Sequence, residues 1–336
     1  MRKMYSDFND LLKEYTDIRV KGDVDSSDII KKITECDRKL IMRDKSVLLQ
    51  KKMGRLKHFL WSFPAFQKWY CRKKAESLIG RVYPQERLNA YVEDTVNELE
   101  NNGEKLAEAY ALLDDDAKQV FIDLILVRLT GDFSYLLPYY SFEEQYMDEK
   151  VSCLRNGQHP NIIDCGGFIG DTLMSFISKG IIPNEYFIFE LEEQNFETLE
   201  KNIESAEKKG VKVKAIKKGV YNKDGELYFE PAGDSSRIVD YKTDFSIPVV
   251  KLDTVASDTK IDYLKMDIEG AEVEALEGAK EIIQRDKPAL AICIYHKKDD
   301  FWRIPLLIHE ICPEYKHYWI RHYSPAYNET VLYVSL

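Results

Sequence analysis

The sequence predicts an α/β protein: a Rossmann-like, doubly wound sheet preceded by a helical region. Two observations carry this. From about residue 150, short apolar runs alternate with amphipathic stretches, as in a parallel sheet covered by helices. The first run opens into a glycine-rich loop, NIIDCGGFIGDT (161–172).

Strands are predicted at 161–165, 186–191, 213–220, 261–267 and 288–296, then at 317–323 and 330–336. Only a short turn separates the last two, which makes them antiparallel neighbours. Helices are expected between them, at 171–180, 193–209, 270–285 and 301–312. The Asp-Gly turn and alternating Leu227 and Phe229 in 221–239 suggest a hairpin inserted into this rhythm. Upstream, Leu88, Tyr91, Val92, Val96 and Leu99, then Val120, Phe121, Leu124 and Ile125, recur at helical spacing. The expected division is a helical region over 1–145 and a second domain over 146–336.

The composition excludes several classes. With 44% hydrophobic and 32% charged residues, the 336-residue chain is that of a globular protein with a sizeable core. It has no apolar run of membrane-spanning length and no signal-peptide pattern at its start. The six cysteines have no C-x-x-C spacing and read as reduced thiols, so a cytoplasmic location is expected. A net charge of −10 argues against nucleic acid as a partner. The charge is segmental, however, at +8 over 1–80, −10 over 81–150 and −8 over 151–336. Residues 51–74 hold eight Lys/Arg, no acid and interleaved aromatics. That segment is either a peripheral contact for an anionic surface or a solvated helix pair.

The glycine loop narrows the ligand. A dinucleotide loop requires G-x-G-x-x-G, but Phe168 occupies the middle glycine's place, and a P-loop Gly-Lys-Ser/Thr is absent. The pattern is Asp-x-Gly-x-x-x-Gly, and its opening acid would repel phosphate. S-adenosylmethionine has no phosphate and carries an ammonium and a sulfonium. Asp164 suits that charge, Gly166, Gly167 and Gly170 allow close approach, and Glu190, ending the second strand, can accept from both ribose hydroxyls.

With these features the chain resembles the FkbM-type S-adenosylmethionine-dependent methyltransferases. The resemblance rests on IIDCGGFIGDT, YFIFELEEQNFETLEKNI and VVKLDTVASDTKIDYLKMDIEGAEVEALEGA, and covers about residues 145–336. It implies a class I methyltransferase sheet of seven strands with the last antiparallel, and methyl transfer to a hydroxyl of a sugar, polysaccharide or natural product in a bacterial cell. It also implies cofactor contacts at Asp171, Thr172, Val220, Asp267 and Tyr146.

Methyl transfer from sulfonium is an in-line displacement that needs alignment and removal of the acceptor's proton. Asp267 ends the fourth strand, Lys265 shares its side by the strand period, and Glu269 begins the next turn. His296 follows the fifth strand and is a natural base for a hydroxyl. These four are the expected catalytic residues. Asp267, Glu269 and His296 could also form a carboxylate–imidazole metal cluster, although no metal is expected. In the predicted hairpin, Arg237 either clamps an anion or belongs to a polar turn. The expected partner is a small-molecule or glycan acceptor, and a homodimer is one expected state. The alternatives are a non-catalytic binding or scaffold protein on the same fold, or methyl transfer to nitrogen. The latter usually requires an Asn/Asp-Pro-Pro-Tyr-like loop where this chain has Asp267-Ile-Glu-Gly.

Overall fold

A computed structural model describes residues 85–130, 135–136, 139, 141, 144–155, 157–232, 235–239, 241–324 and 328–336. The basic segment 51–74 and Asp234 lie outside these residues, as does the Arg237 side chain. Two compact units are present. Among the described residues, one holds the two N-terminal helices with Trp319–Thr330, and the other holds residues 144–318 with Val331–Leu336.

In the first unit, α1 (Gln85–Leu112) breaks its helical geometry at Asn102, and α2 (Asp115–Thr130) packs against it. Asp115 and Asp116 in the first turn of α2 and Arg128 in its last complement the helix dipole. Residues Val120–Leu129 are all buried, so α2 is a core helix rather than an amphipathic one.

The predicted sheet is present. Its strands are β1 (Ile162–Cys165), β2 (Glu185–Phe189), β3 (Lys212–Ile216), β8 (Tyr263–Met266), β9 (Ala289–Cys293), β10 (His317–His322) and β11 (Thr330–Ser335). The order is β10-β11-β9-β8-β1-β2-β3. From β9 to β3 the neighbours are parallel, and β11 runs antiparallel to β9. β1 and β8 are buried at every position, as expected for parallel strands covered on both faces. The covering helices are α3 (Asp171–Ser178), α4 (Glu193–Glu207), α6 (Glu272–Glu277), α7 (Lys280–Asp286) and α8 (Asp300–Ile311). Phe176 of α3 lies edge-on to Tyr186 of β2 and Tyr263 of β8, with ring centroids 6.4 and 6.2 Å away. Burial of each such ring contributes roughly 1.5–3 kcal/mol.

Between β3 and β8 the structure departs from the sequence reading. The predicted strand 213–220 is two strands, with β4 (Gly219–Val220) belonging to a second sheet. The predicted hairpin is β5 (Gly225–Ala232) and β6 (Ser235–Val239), joined by β7 (Phe245–Val250), which the sequence reading missed. The order of this sheet is β4-β7-β5-β6, and a short helix, α5 (Leu252–Val255), leads back to β8. The single helix predicted over 270–285 is the pair α6 and α7. Among the described residues, no helix is long and apolar enough to cross a membrane.

Candidate active site

The candidate site forms at the carboxyl ends of β1, β2, β8 and β9, where an open α/β sheet binds its ligands. Two backbone turns shape it. After β1, Gly166 and Gly167 both donate to the Phe189 carbonyl at the end of β2, over 3.0 and 2.8 Å. Gly166 has φ +78°, and a Cβ there would lie 1.8 Å from the Asp267 carbonyl oxygen. A Cβ at Gly167 would lie 2.1 Å from Ile188. These glycines therefore allow the loop to pack closely between β2 and β8. Gly170 (φ +81°) caps α3, whose first residues are Asp171 and Thr172. Phe168, between the glycines, adopts φ +47° and is half exposed. After β8, Glu269 (φ +57°) and Gly270 (φ +98°) turn the chain, and the Ile268 N–H donates to Glu272 Oε1 over 3.0 Å.

The sequence suggests Asp164 at the mouth of the loop, opposite a cationic ligand, and Lys265 among the groups acting on the acceptor. The structure pairs the two with each other. They are register partners on β1 and β8, and Lys265 Nζ lies 2.9 Å from Asp164 Oδ1 with both side chains at least 97% buried. Tyr186 donates to the second Asp164 oxygen over 2.6 Å. Lys265 also donates to the Gly166 carbonyl over 2.6 Å and lies 5.0 Å above the Tyr146 ring. Burial works to neutralise Lys265, but Asp164 and Asp267 more than offset this and hold its pKa above the usual lysine value. The pair thus locks the glycine loop to the sheet.

Tyr146 adopts φ +68°, held by three bonds. Its N–H donates to the Tyr333 hydroxyl of β11, its carbonyl accepts from Tyr263 of β8, and its own hydroxyl donates to Asp267 Oδ2 over 2.7 Å. Tyr295 donates to the other Asp267 oxygen over 3.4 Å. Asp267 is therefore fixed from two sides, with its side chain 25% exposed.

His296 completes the cluster. Its Nδ1 lies 2.8 Å from Glu272 Oε1, and its Nε2 lies 3.3 Å from Asp267 Oδ1 and 3.7 Å from Glu269 Oε2. Burial disfavours the imidazolium. The Glu272 hydrogen bond and charge, with Asp267 and Glu269, outweigh that and raise the histidine pKa. Glu272, fully buried at the start of α6, accepts from both Ile268 and His296. Behind it Asp300, at the start of α8, accepts from the Lys297 N–H, and burial followed by the Glu272 charge pushes its carboxyl up to about 7.

Asp267, Glu269 and His296 are thus brought together. Glu190 sits beyond β2, next to the glycine loop, with one oxygen accepting from the Glu192 N–H over 2.7 Å. Val220 is buried in the second sheet. The sequence-based set omitted Glu272, Tyr186, Tyr295 and Asp300. Tyr295 was legible as the neighbour of His296, and Glu272 as the acid one turn beyond Glu269; the other two depend on tertiary packing.

The strand order, with the last strand antiparallel to its neighbour, is that of a class I methyltransferase sheet. Residues 164–322 match the family model described as the methyltransferase FkbM domain. The structure is similar to methyltransferase FkbM from Methylobacillus flagellatus KT, with a TM-score of 0.59 and 25% identity over 71% of this chain. The match spans 60% of the length of that relative. Weaker likenesses include a precorrin-6y C5,15-methyltransferase from Geobacter metallireducens GS-15 (TM-score 0.35, 8% identity, 59% of this chain and 94% of that one). Another is fibrillarin from Aeropyrum pernix with S-adenosyl-L-methionine bound (TM-score 0.35, 11% identity, 55% and 68%). No curated protein sequence matches the chain.

Proposed function

We propose that the protein is an S-adenosylmethionine-dependent O-methyltransferase acting on a hydroxyl of a sugar, polysaccharide or natural product. The observation that carries this reading is the His296 imidazole, held between Glu272 and Asp267 beside the glycine turn. A proton-accepting group held beside the loop at a strand end is what an alcohol acceptor needs. The cofactor would lie along the glycine turn, with its ribose hydroxyls donating to Glu190. In the reaction the acceptor oxygen forms a bond to the methyl carbon and the carbon–sulfur bond breaks. Its electron pair stays on sulfur as a neutral thioether, and the hydroxyl proton passes to a basic atom of the cluster. Asp164 supports this indirectly, by holding Lys265 against the loop.

Calorimetry with S-adenosylhomocysteine tests the binding half, and Glu190→Ala is expected to weaken binding at least about tenfold by loss of a charge-assisted hydrogen bond. For the chemical half, transfer of labelled methyl to a panel of sugars and polyols is expected to fall about 10²–10⁴-fold in His296→Ala. Equal heats for Glu190→Ala and wild type would remove the cofactor assignment. Transfer to amines but not alcohols would remove the acceptor assignment.

A further inference from the structure

We infer that the Asp267–Glu269–His296 corner is a divalent metal site, a departure from the expectation of none. It rests on the reading above of this corner as the place where the acceptor hydroxyl loses its proton.

The donor geometry comes first. Ligand atoms of Asp267, Glu272 and His296 all lie within 4.8 Å of one another. Two donors each about 2.1 Å from a cation lie roughly 3.0–3.4 Å apart at tetrahedral or octahedral angles. His296 Nε2 and Asp267 Oδ1 are 3.3 Å apart, and Glu269 Oε2 is 3.7 Å from the same nitrogen.

The histidine supplies an independent sign. Its side chain is 93% buried, and Nε2 makes no hydrogen bond although it lies 3.3 Å from Asp267 Oδ1. Glu272 accepts from Nδ1, and an ionised carboxylate can only accept. That bond keeps a hydrogen on Nδ1, so Nε2 is the nitrogen that faces the two acids, where a divalent cation can take the place of a proton. A buried carboxylate holding the far nitrogen of an imidazole is the arrangement that orients metal-bound histidines.

The opposite side is open. The Glu269 side chain is 92% exposed, so this side of the corner is accessible to an incoming oxygen. One imidazole with two carboxylates suits a first-row divalent cation such as Mn²⁺ or Zn²⁺. A hydroxyl bound to the cation is acidified, and its proton leaves through the free oxygen of Glu269 to solvent.

The test is direct binding to the full chain after stripping with EDTA, with Mn²⁺ followed by electron paramagnetic resonance and Zn²⁺ by calorimetry. One cation per chain is expected, lost in Asp267→Asn and His296→Ala and weakened about 10–100-fold in Glu272→Gln. Failure of the wild type to bind either ion stoichiometrically overturns the inference, as does unchanged affinity in a folded His296→Ala. Should the buried variants fail to fold, the exposed Glu269→Gln decides: lower affinity supports the site and unchanged affinity overturns it. S-adenosylhomocysteine binding without metal binding overturns this inference alone. Metal binding without S-adenosylhomocysteine binding overturns the methyltransferase reading alone.

Discussion

Lys265 Nζ lies 2.9 Å from Asp164 Oδ1 in a fully enclosed pair that joins the central strand β1 to β8. Neither charge has access to water, so removing one leaves the other uncompensated, at a cost of about 3–5 kcal/mol. Lys265→Met and Asp164→Asn are each expected to lose that much stability in urea titrations. The double variant should lose clearly less than the sum of the two, because it strands no charge. Additive losses would show that the two residues act independently.

The glycine turn makes a sharper contrast. Gly166→Ala combines a left-handed backbone with a Cβ 1.8 Å from the Asp267 carbonyl oxygen. The backbone alone costs about 1 kcal/mol or more, and the overlap must displace β8 or the loop. A Cβ at Gly103, inside α1, would meet open space, with nothing within 4 Å. Gly103→Ala is expected to be neutral or stabilising by up to about 1 kcal/mol. Thermal melts of the two variants should move in opposite directions.

Asp300 gives a pH dependence with a defined sign. Its folded pKa is about 7, while an unfolded aspartate titrates near about 3.9. Between those values the unfolded chain gives up a proton that the folded one keeps, so this group's contribution to stability falls as pH rises to about 7 and then levels off. The upper bound is about 4 kcal/mol. Asp300→Asn, which still accepts from the Lys297 N–H, is expected to remove this slope and to be more stable than wild type at pH 8. A parallel pair of stability-against-pH curves would contradict it.

Tyr146→Phe removes one hydrogen bond to a carboxylate, at a cost of roughly 1.5–3 kcal/mol. The loss should appear mainly in turnover, about tenfold, because Asp267 is freed to rotate while Tyr295 still holds one oxygen. Unchanged transfer rates would show that Asp267 needs no fixing.

The main sheet was legible because parallel strands buried on both faces read as apolar runs, and β1, β2, β8 and β9 all do. β7 escaped because Phe245 and Ser246 are exposed and Pro248 interrupts the run. The third strand was overextended because apolar Val220 follows Lys217 and Lys218 closely, and only pairing with Val250 reveals that it has changed sheets. Asp267 and His296 could be picked out because strand ends announce themselves locally. The Asp164–Lys265 pair could not, since it depends on the register between two strands far apart in the chain.

The anchoring of Tyr146 also bears on the order of folding. Its amide bonds to Tyr333, 187 positions away in sequence, and its hydroxyl bonds to Asp267, 121 positions away. Contacts across such loops form slowly, because chain closure must precede any gain from them. The reactive corner should therefore be among the last parts of the molecule to mature, so a refolding chain would regain its helical circular dichroism well before its catalytic competence.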